Sequence, residues 1–241
     1  MNVQIPQREI EINGLSGGIR IEDLFRFRSA PHQRLEFDRA AVGRWFFTAG
    51  RCEFQTESPH DYFLEQAAVN WLGGEVKTHA VHFQLPDPQI DLVLYAEGIE
   101  VGRVLELMHG FDGTGSGTLY GKLPLFIRQG RIRYGNGFLY SIPGEGGNLS
   151  IRDNDFLTAA LPQTSEQYER VQMVEQALRD FDFDLFRLDL KPAAQGLSSL
   201  TLRLSGRSRK TPAEVPVDLT VNLHGPLEQL LNLGLQLREM Q

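Results

Sequence analysis

Six histidines, one cysteine and a cluster of four aspartates are the groups in this chain with chemistry to offer. His79 and His82 stand three apart in an alternating segment, and an odd separation on a strand points two side chains to opposite faces, which is poor geometry for a shared metal. His60-Asp61 precedes a strand and reads as turn chemistry, and the remaining histidines are His32, His109 and His224. Asp180, Asp182, Asp184 and Asp189 gather at a helix-to-strand junction, but the glycine turn of a calcium loop is missing, so the cluster reads as a solvated face. Cys52 is the only cysteine, which excludes an intrachain disulfide and a cysteine-based zinc site.

Gly113-Thr-Gly-Ser-Gly117 is as glycine-rich as a phosphate loop. It follows a predicted helix and enters a predicted strand, however, the reverse of the order that aims backbone N–H groups at an anion. Ser116 lacks the Gly-x-Ser-x-Gly elbow of a nucleophilic serine. With no nucleophile, base and orienting group standing together, the reading is a non-enzyme with no catalytic residue, no metal ligand and no cofactor.

Strands must position whatever site there is. Five stretches alternate apolar and polar residues and then reach a glycine: Ile10–Gly14, Leu92–Gly98, Leu119–Gly121, Leu200–Gly206 and Leu219–Gly225. Period-two alternation gives a strand with one apolar face, and the glycine marks a bend or turn. Further strands are expected at Glu9–Ile12, Gly18–Ile21, Arg34–Asp38, Arg44–Thr48, Gly50–Gln55, 61–72, 75–85, 89–97, 117–129, 130–142, 146–152, 184–190, 197–205 and 214–224. Residues 61–72 and 75–85 join at Gly73-Gly74 as a hairpin, with Tyr62, Leu64 and Leu72 on one face and Phe63, Val69 and Trp71 on the other. Pro124 marks an edge or a bulge. Short helical spacing occurs at 100–109, and a capping box at Thr164–Gln167 opens a helix over 164–181 whose stripe is Val171, Val174, Leu178 and Phe181. Residues 113–117 read as a flexible stretch, Arg203–Lys210 as a solvated hairpin loop, and Gly225-Pro226 as the start of a last helix, with a strand as its alternative.

Composition narrows the function. The net charge of −7 supplies no basic excess to displace phosphate counterions, which argues against nucleic acid. No run of about 18 apolar residues exists to span a membrane. The N-terminal Met-Asn-Val-Gln-Ile-Pro lacks a signal peptide's basic and apolar regions, so either the chain is cytoplasmic or it is a piece of something longer.

Residues 89–152 carry a resemblance. An alternating strand ends in Glu97-Gly98-Ile99, a short helix follows, and then come Gly115-Ser-Gly117-Thr-Leu-Tyr-Gly121-Lys-Leu-Pro124-Leu-Phe-Ile127, Gly130-Arg-Ile132-Arg-Tyr-Gly135-Asn-Gly137 and Ile142-Pro-Gly144. Leu15-Ser-Gly-Gly18-Ile, Val69-Asn-Trp71-Leu-Gly73-Gly74 and the closing Leu-x-Val-x-Leu-x-Gly-Pro226-Leu fit the same pattern. This resembles the C-terminal region of the YdbH-type AsmA-like proteins, a family also described as a dicarboxylate transport domain. The resemblance implies a periplasmic segment of a parent anchored in the inner membrane of Gram-negative bacteria, moving phospholipid towards the outer membrane along a hydrophobic β-groove. It carries over no catalytic residue, and the absence of an anchor here implies a fragment near the end that faces the outer membrane. Roughly ten strands at about 4.8 Å give only about 50 Å of groove, so a bridge between membranes needs more sheet upstream.

Physics favours lipid over dicarboxylate. Exposing a 16-carbon chain to water costs about 13 kcal/mol at about 0.8 kcal/mol per CH₂, and a continuous apolar wall removes most of that cost without a reaction. A dicarboxylate site needs converging arginines, whereas Arg131 and Arg133 flank Ile132 and Tyr134 as outward members of a strand. The expected architecture is mainly β with minor α. A long twisted antiparallel sheet curls into a hydrophobic groove with two or three packing helices. Residues 1–241 form one unit, divisible at most into a strand-rich 1–160 and a helix with terminal strands and helix over 161–241. The expected wall is Leu92, Leu94, Leu119, Leu123, Leu125, Ile127, Leu200, Leu202, Leu204, Val217, Leu219 and Val221, and the alternative is that these form a closed core against the helices. The expected partners are phospholipid acyl chains. A competing class is an interaction module whose open edge, 214–224, accepts a strand from an outer-membrane-side protein, and a third is small-solute binding.

Overall fold

The computed structural model of the chain describes residues 1–5, 10–43, 45–106, 112–129, 131–152, 168, 172, 175–194, 197–209 and 216–225. Its N-terminal part holds β1 (Val3–Ile5), β2 (Ile10–Asn13), β3 (Ser16–Gly17), β4 (Ile21–Asp23) and β5 (Arg28–Ser29). Long strands follow: β6 (Gln33–Val42), β7 (Trp45–Ser58), β8 (Asp61–Trp71), β9 (Gly74–Gln84) and β10 (Ile90–Glu100). The helix α1 (Val101–Glu106) leads to β11 (Gly113–Gly115), β12 (Thr118–Arg128), β13 (Arg131–Tyr134), β14 (Gly137–Tyr140) and β15 (Gly147–Ile151). The last three strands are β16 (Phe181–Ala194), β17 (Leu197–Ser208) and β18 (Pro216–Gly225).

Sixteen of these strands form one antiparallel sheet, mostly by pairing sequence neighbours, and β4 pairs with β5 apart from it. The sheet curls without closing into a barrel, as no pairing among the described residues joins β1 to β18. Mainly β with minor α is therefore the fold, as the alternation requires.

Several boundaries move. The hairpin between β8 and β9 turns at Leu72-Gly73, one residue before the expected pair, because both have positive φ (50° and 81°) as a two-residue hairpin turn demands. The expected strand at Gly18–Ile21 is instead the two short strands β3 and β4, and the expected 130–142 is split into β13 and β14. Residues 113–117 are no flexible stretch: Gly113–Gly115 pairs with β15, and a Cβ on Gly115 would lie 2.8 Å from the Val101 side chain. Glycine there lets α1 pack down onto the sheet. Arg203–Ser208 is strand rather than loop. Residues 168, 172 and 175–178 are helical, but Phe181, expected as the last member of the helical stripe, opens β16. The capping box and the expected helix from 227 lie outside the described residues.

Pro124 sits inside β12 without cost. Its carbonyl accepts from Gly135 N–H, so its nitrogen faces the same edge, at the gap where β12 passes from pairing β14 to pairing β13. No ladder donor is lost there.

The core lies at one end of the trough. Ile99, Val101 and Leu105 pack with Leu119, Leu149, Ile151, Phe181, Phe183, Phe186 and Leu204, and Leu178 of the second helix closes over them. Val101 and Leu105, four apart, are the buried face of α1.

Candidate functional site

Bulges decide which side chains share a face, and three of them assemble the apolar side. Strict alternation would send Ile99 to the side opposite Ala96. Between Ala96 and Ile99, however, β10 holds one residue more than β12, so Ile99 pairs with Leu119 on the same side as Ala96 with Gly121. Gly98 supplies the positive φ of 70° that this requires. In β8 the extra residue is Glu65: Glu53 faces Gln66 while the next residue, Phe54, faces Leu64. Leu64 and Tyr62 thereby share one side with Ala67, Val69 and Trp71, which corrects the expected faces of Val69 and Trp71 and leaves Phe63 opposite. In β16 the extra residue Asp184 brings Phe181 and Phe183 into phase with Phe186, Leu188 and Leu190.

The result is an apolar row running perpendicular to the strands. Val69 pairs with Val76, Val76 with Ala96, Ala96 with Gly121, Gly121 with Leu139, Leu139 with Leu188, Leu188 with Leu202 and Leu202 with Val221. Eight strands contribute, a path of roughly 34 Å at about 4.8 Å per step. Not one polar side chain interrupts it. Gly121 is needed because a Cβ there would lie 1.9 Å from the Phe138 carbonyl oxygen.

The expected wall residues fall into four groups. Leu92, Leu94, Leu123, Leu125 and Ile127 share one face of the β10–β12 pair, opposed as Leu92 to Leu125 and Leu94 to Leu123, and all five are half-buried. Leu200, Leu202 and Leu219 are half-buried on the continuation of that face, Leu202 and Leu219 against the edge of the core. Leu119 and Leu204, at 0% and 2% exposure, belong to the closed core itself. Val217 and Val221 are placed by register only, opposite Gly206 and Leu202. Sequence reasoning missed Val69, Val76, Ala96, Leu139 and Leu188; the spacing Phe181, Phe183, Phe186, a step of two then three, was the signal that could have found one of the re-phasings.

The opposite face carries a patch of charges across β6–β10 that pair with one another. Arg34 donates to Glu53 at 2.9 Å and Gln66 to the same carboxylate at 2.7 Å. Arg51 pairs with Glu75, and Lys77 bridges Glu75 at 2.8 Å and Glu97 at 2.6 Å. Arg34, Arg51, Glu53, Gln66, Lys77 and Glu97 line a hollow of about 540 Å³. Hydrogen bonding by Lys77, then by Arg51, holds the Glu75 carboxyl below its usual range, and Gln66 followed by Arg34 does the same for Glu53. Arg187 lowers Asp189 likewise. Burial on the apolar side pushes the Cys52 thiol up.

The other chemical groups are dispersed. His79 and His82, against expectation, share the exposed face, because the strand is re-phased at Ala80, where φ is 54°. They nonetheless take different partners: His82 meets Asp61 at 2.9 Å and His79 lies against the Tyr95 ring. His32, Glu53 and Glu65 offer ligand atoms within 4.8 Å of one another, a grouping the sequence did not reveal. Both carboxylates are already engaged there, Glu65 by His32 and Glu53 by Arg34 and Gln66. Asp182 is held by Arg209 and Asp189 by Arg187. Arg128 turns to Asp91, while Arg131 and Arg133 are exposed, so the three arginines do not converge.

Among the described residues no helix is long and apolar enough to cross a membrane. Comparison with known proteins finds no match among curated proteins or solved structures. A family model does match, over residues 2–235, nearly the whole chain: the protein belongs to the YdbH-like family, described as intermembrane phospholipid transport protein YdbH.

Proposed function

We propose that the apolar face is a segment of a lipid track, along which phospholipid acyl chains pass between the inner and outer membranes of Gram-negative bacteria with no bond made or broken. The observation that supports this is the uninterrupted apolar row across eight strands, joined to the half-buried Leu92–Leu125 and Leu94–Leu123 pairs. Such a surface shelters methylenes worth about 0.8 kcal/mol each. The charged hollow on the other face suits a dicarboxylate poorly, since Arg34, Arg51 and Lys77 already hold carboxylates. The chain works in the periplasm as part of a parent anchored in the inner membrane. A photoreactive benzoylphenylalanine at Leu94 or Leu125, followed by mass spectrometry of the purified chain, is expected to yield phospholipid adducts. Adducts at neither position, with no co-purifying lipid, sink the reading; a calorimetric titration with succinate is expected to give no heat.

A second reading rests on β18, which pairs only with β17 among the described residues. Its free edge suits addition of a strand from an outer-membrane-side partner.

A further inference from the structure

We propose that the β4–β5 hairpin is a membrane-docking finger that inserts Leu24 and Phe25 into the headgroup region of an anionic phospholipid bilayer. The two strands pair with each other and stand outside the main sheet. Four of the nine large apolar residues that are exposed among the described residues fall in this one segment: Ile19, Leu24, Phe25 and Phe27. Phe25 is fully exposed at 102% and Leu24 is 76% exposed.

This tip is not a loose loop. The Asp23 carboxylate accepts from Phe25 N–H at 3.0 Å and from Arg26 N–H at 3.1 Å, which fixes the turn. At the base, Thr56 N–H donates to Ser29 Oγ at 2.9 Å and Thr56 Oγ1 donates to the Phe27 carbonyl at 3.1 Å. Gln33 Oε1 accepts from Arg20 N–H, and Ser29, Ala30, Gln33 and Thr56 are all buried. A rigid polar foot thus holds an apolar tip out in solvent.

Charge and area name the occupant. Arg20, Arg26 and Arg28 outnumber Glu22 and Asp23 by one in this segment, a local positive excess in a chain whose net charge is −7. Arg20 pairs with Glu22 at 3.4 Å and Arg26 with Asp23 at 3.9 Å, whereas Arg28 has no acidic partner among the described residues. An apolar tip followed by the uncompensated Arg28 suits a bilayer interface, with rings among the headgroups and a guanidinium at the phosphates. Four side chains fall short of the roughly 800 Å² per partner of a stable protein interface. The finger does not depend on the groove carrying lipid.

The test is vesicle partition of the whole chain, with 3:1 phosphatidylcholine–phosphatidylglycerol vesicles against phosphatidylcholine alone. Binding is expected to favour the anionic vesicles. It should fall at least tenfold in a Leu24→Ser/Phe25→Ser variant whose circular dichroism and melting are unchanged, and several-fold in Arg28→Glu. A Phe25→Trp variant should show fluorescence quenched by brominated lipid. Leu94→Ser/Leu125→Ser, which tests the groove, should bind vesicles as the parent does. Undiminished partition of the Leu24→Ser/Phe25→Ser variant, or an unquenched Phe25→Trp on bound vesicles, overturns the proposal. So does a tip that crosslinks to a protein while the chain leaves vesicles free.

Discussion

Glycine in this chain acts by two different physical routes, and substitution separates them. Gly98 has open space where a Cβ would go, so its requirement is the φ of 70° alone. Gly98→Ala is expected to cost about 1 kcal/mol in urea unfolding, the strain of a left-handed residue. Gly121 has an ordinary backbone but no room, and Gly121→Ala should cost about 3 kcal/mol or more because strand must move from strand. If both cost the same, the close approach at Gly121 is not tight. Charge gives a second residue-scale prediction. The Glu75 carboxyl is lowered in the folded state, so its contribution is fully present above its unfolded value of about 4.3 and lost as pH falls through the lower folded value. Glu75→Gln should therefore melt below the parent at pH 7, and the difference should vanish in acid. A gap that persists at pH 2 would show the loss to be packing rather than charge.

Strands were legible in the sequence, but the faces they present were not. Alternation within Ile90–Ala96 or Leu200–Leu204 correctly set Leu92 with Leu94 and Leu200 with Leu202, since no bulge intervenes. It failed where a strand is re-phased, as at Glu65, Ala80, Gly98 and Asp184, because a re-phasing inverts every side chain beyond it and only the partner strand reveals it. The same limit hid the division of the expected wall: Leu119 lies past the bulge under α1, whereas Leu94 and Leu125 lie before it. That division is testable. Leu119→Ala removes a fully buried side chain and should cost about 2–5 kcal/mol. Leu94→Ser/Leu125→Ser should fold nearly as well as the parent yet lose lipid adducts. A Leu119→Ala chain that remains folded should keep them. The reverse pattern would place the track at the core end instead.

At the scale of the molecule, the unclosed sheet leaves β18 as a long edge among the described residues, ten residues with Pro216 at its start. Its exposed side chains Asp218, Thr220 and Asn222 bring one charge, which is weak protection for an edge of that length. Successive N–H groups on a strand point to opposite neighbours, so every second amide of β18 bonds β17 and the others point away from it. Hydrogen exchange should show this as an alternation, slow and fast by turns from 217 to 224. Thr220→Pro and Val221→Pro sharpen the point, since the two residues are adjacent and only one donates to β17. One substitution should destabilise the β17–β18 ladder, and the other should leave melting unchanged while removing a donor that an incoming strand would need. Slow exchange at every amide in the isolated chain would mean that the edge is already covered, and strand addition there would be ruled out. Fast exchange at alternate positions, abolished on adding a partner but not on adding lipid, would separate the edge from the apolar face as two independent working surfaces of one sheet.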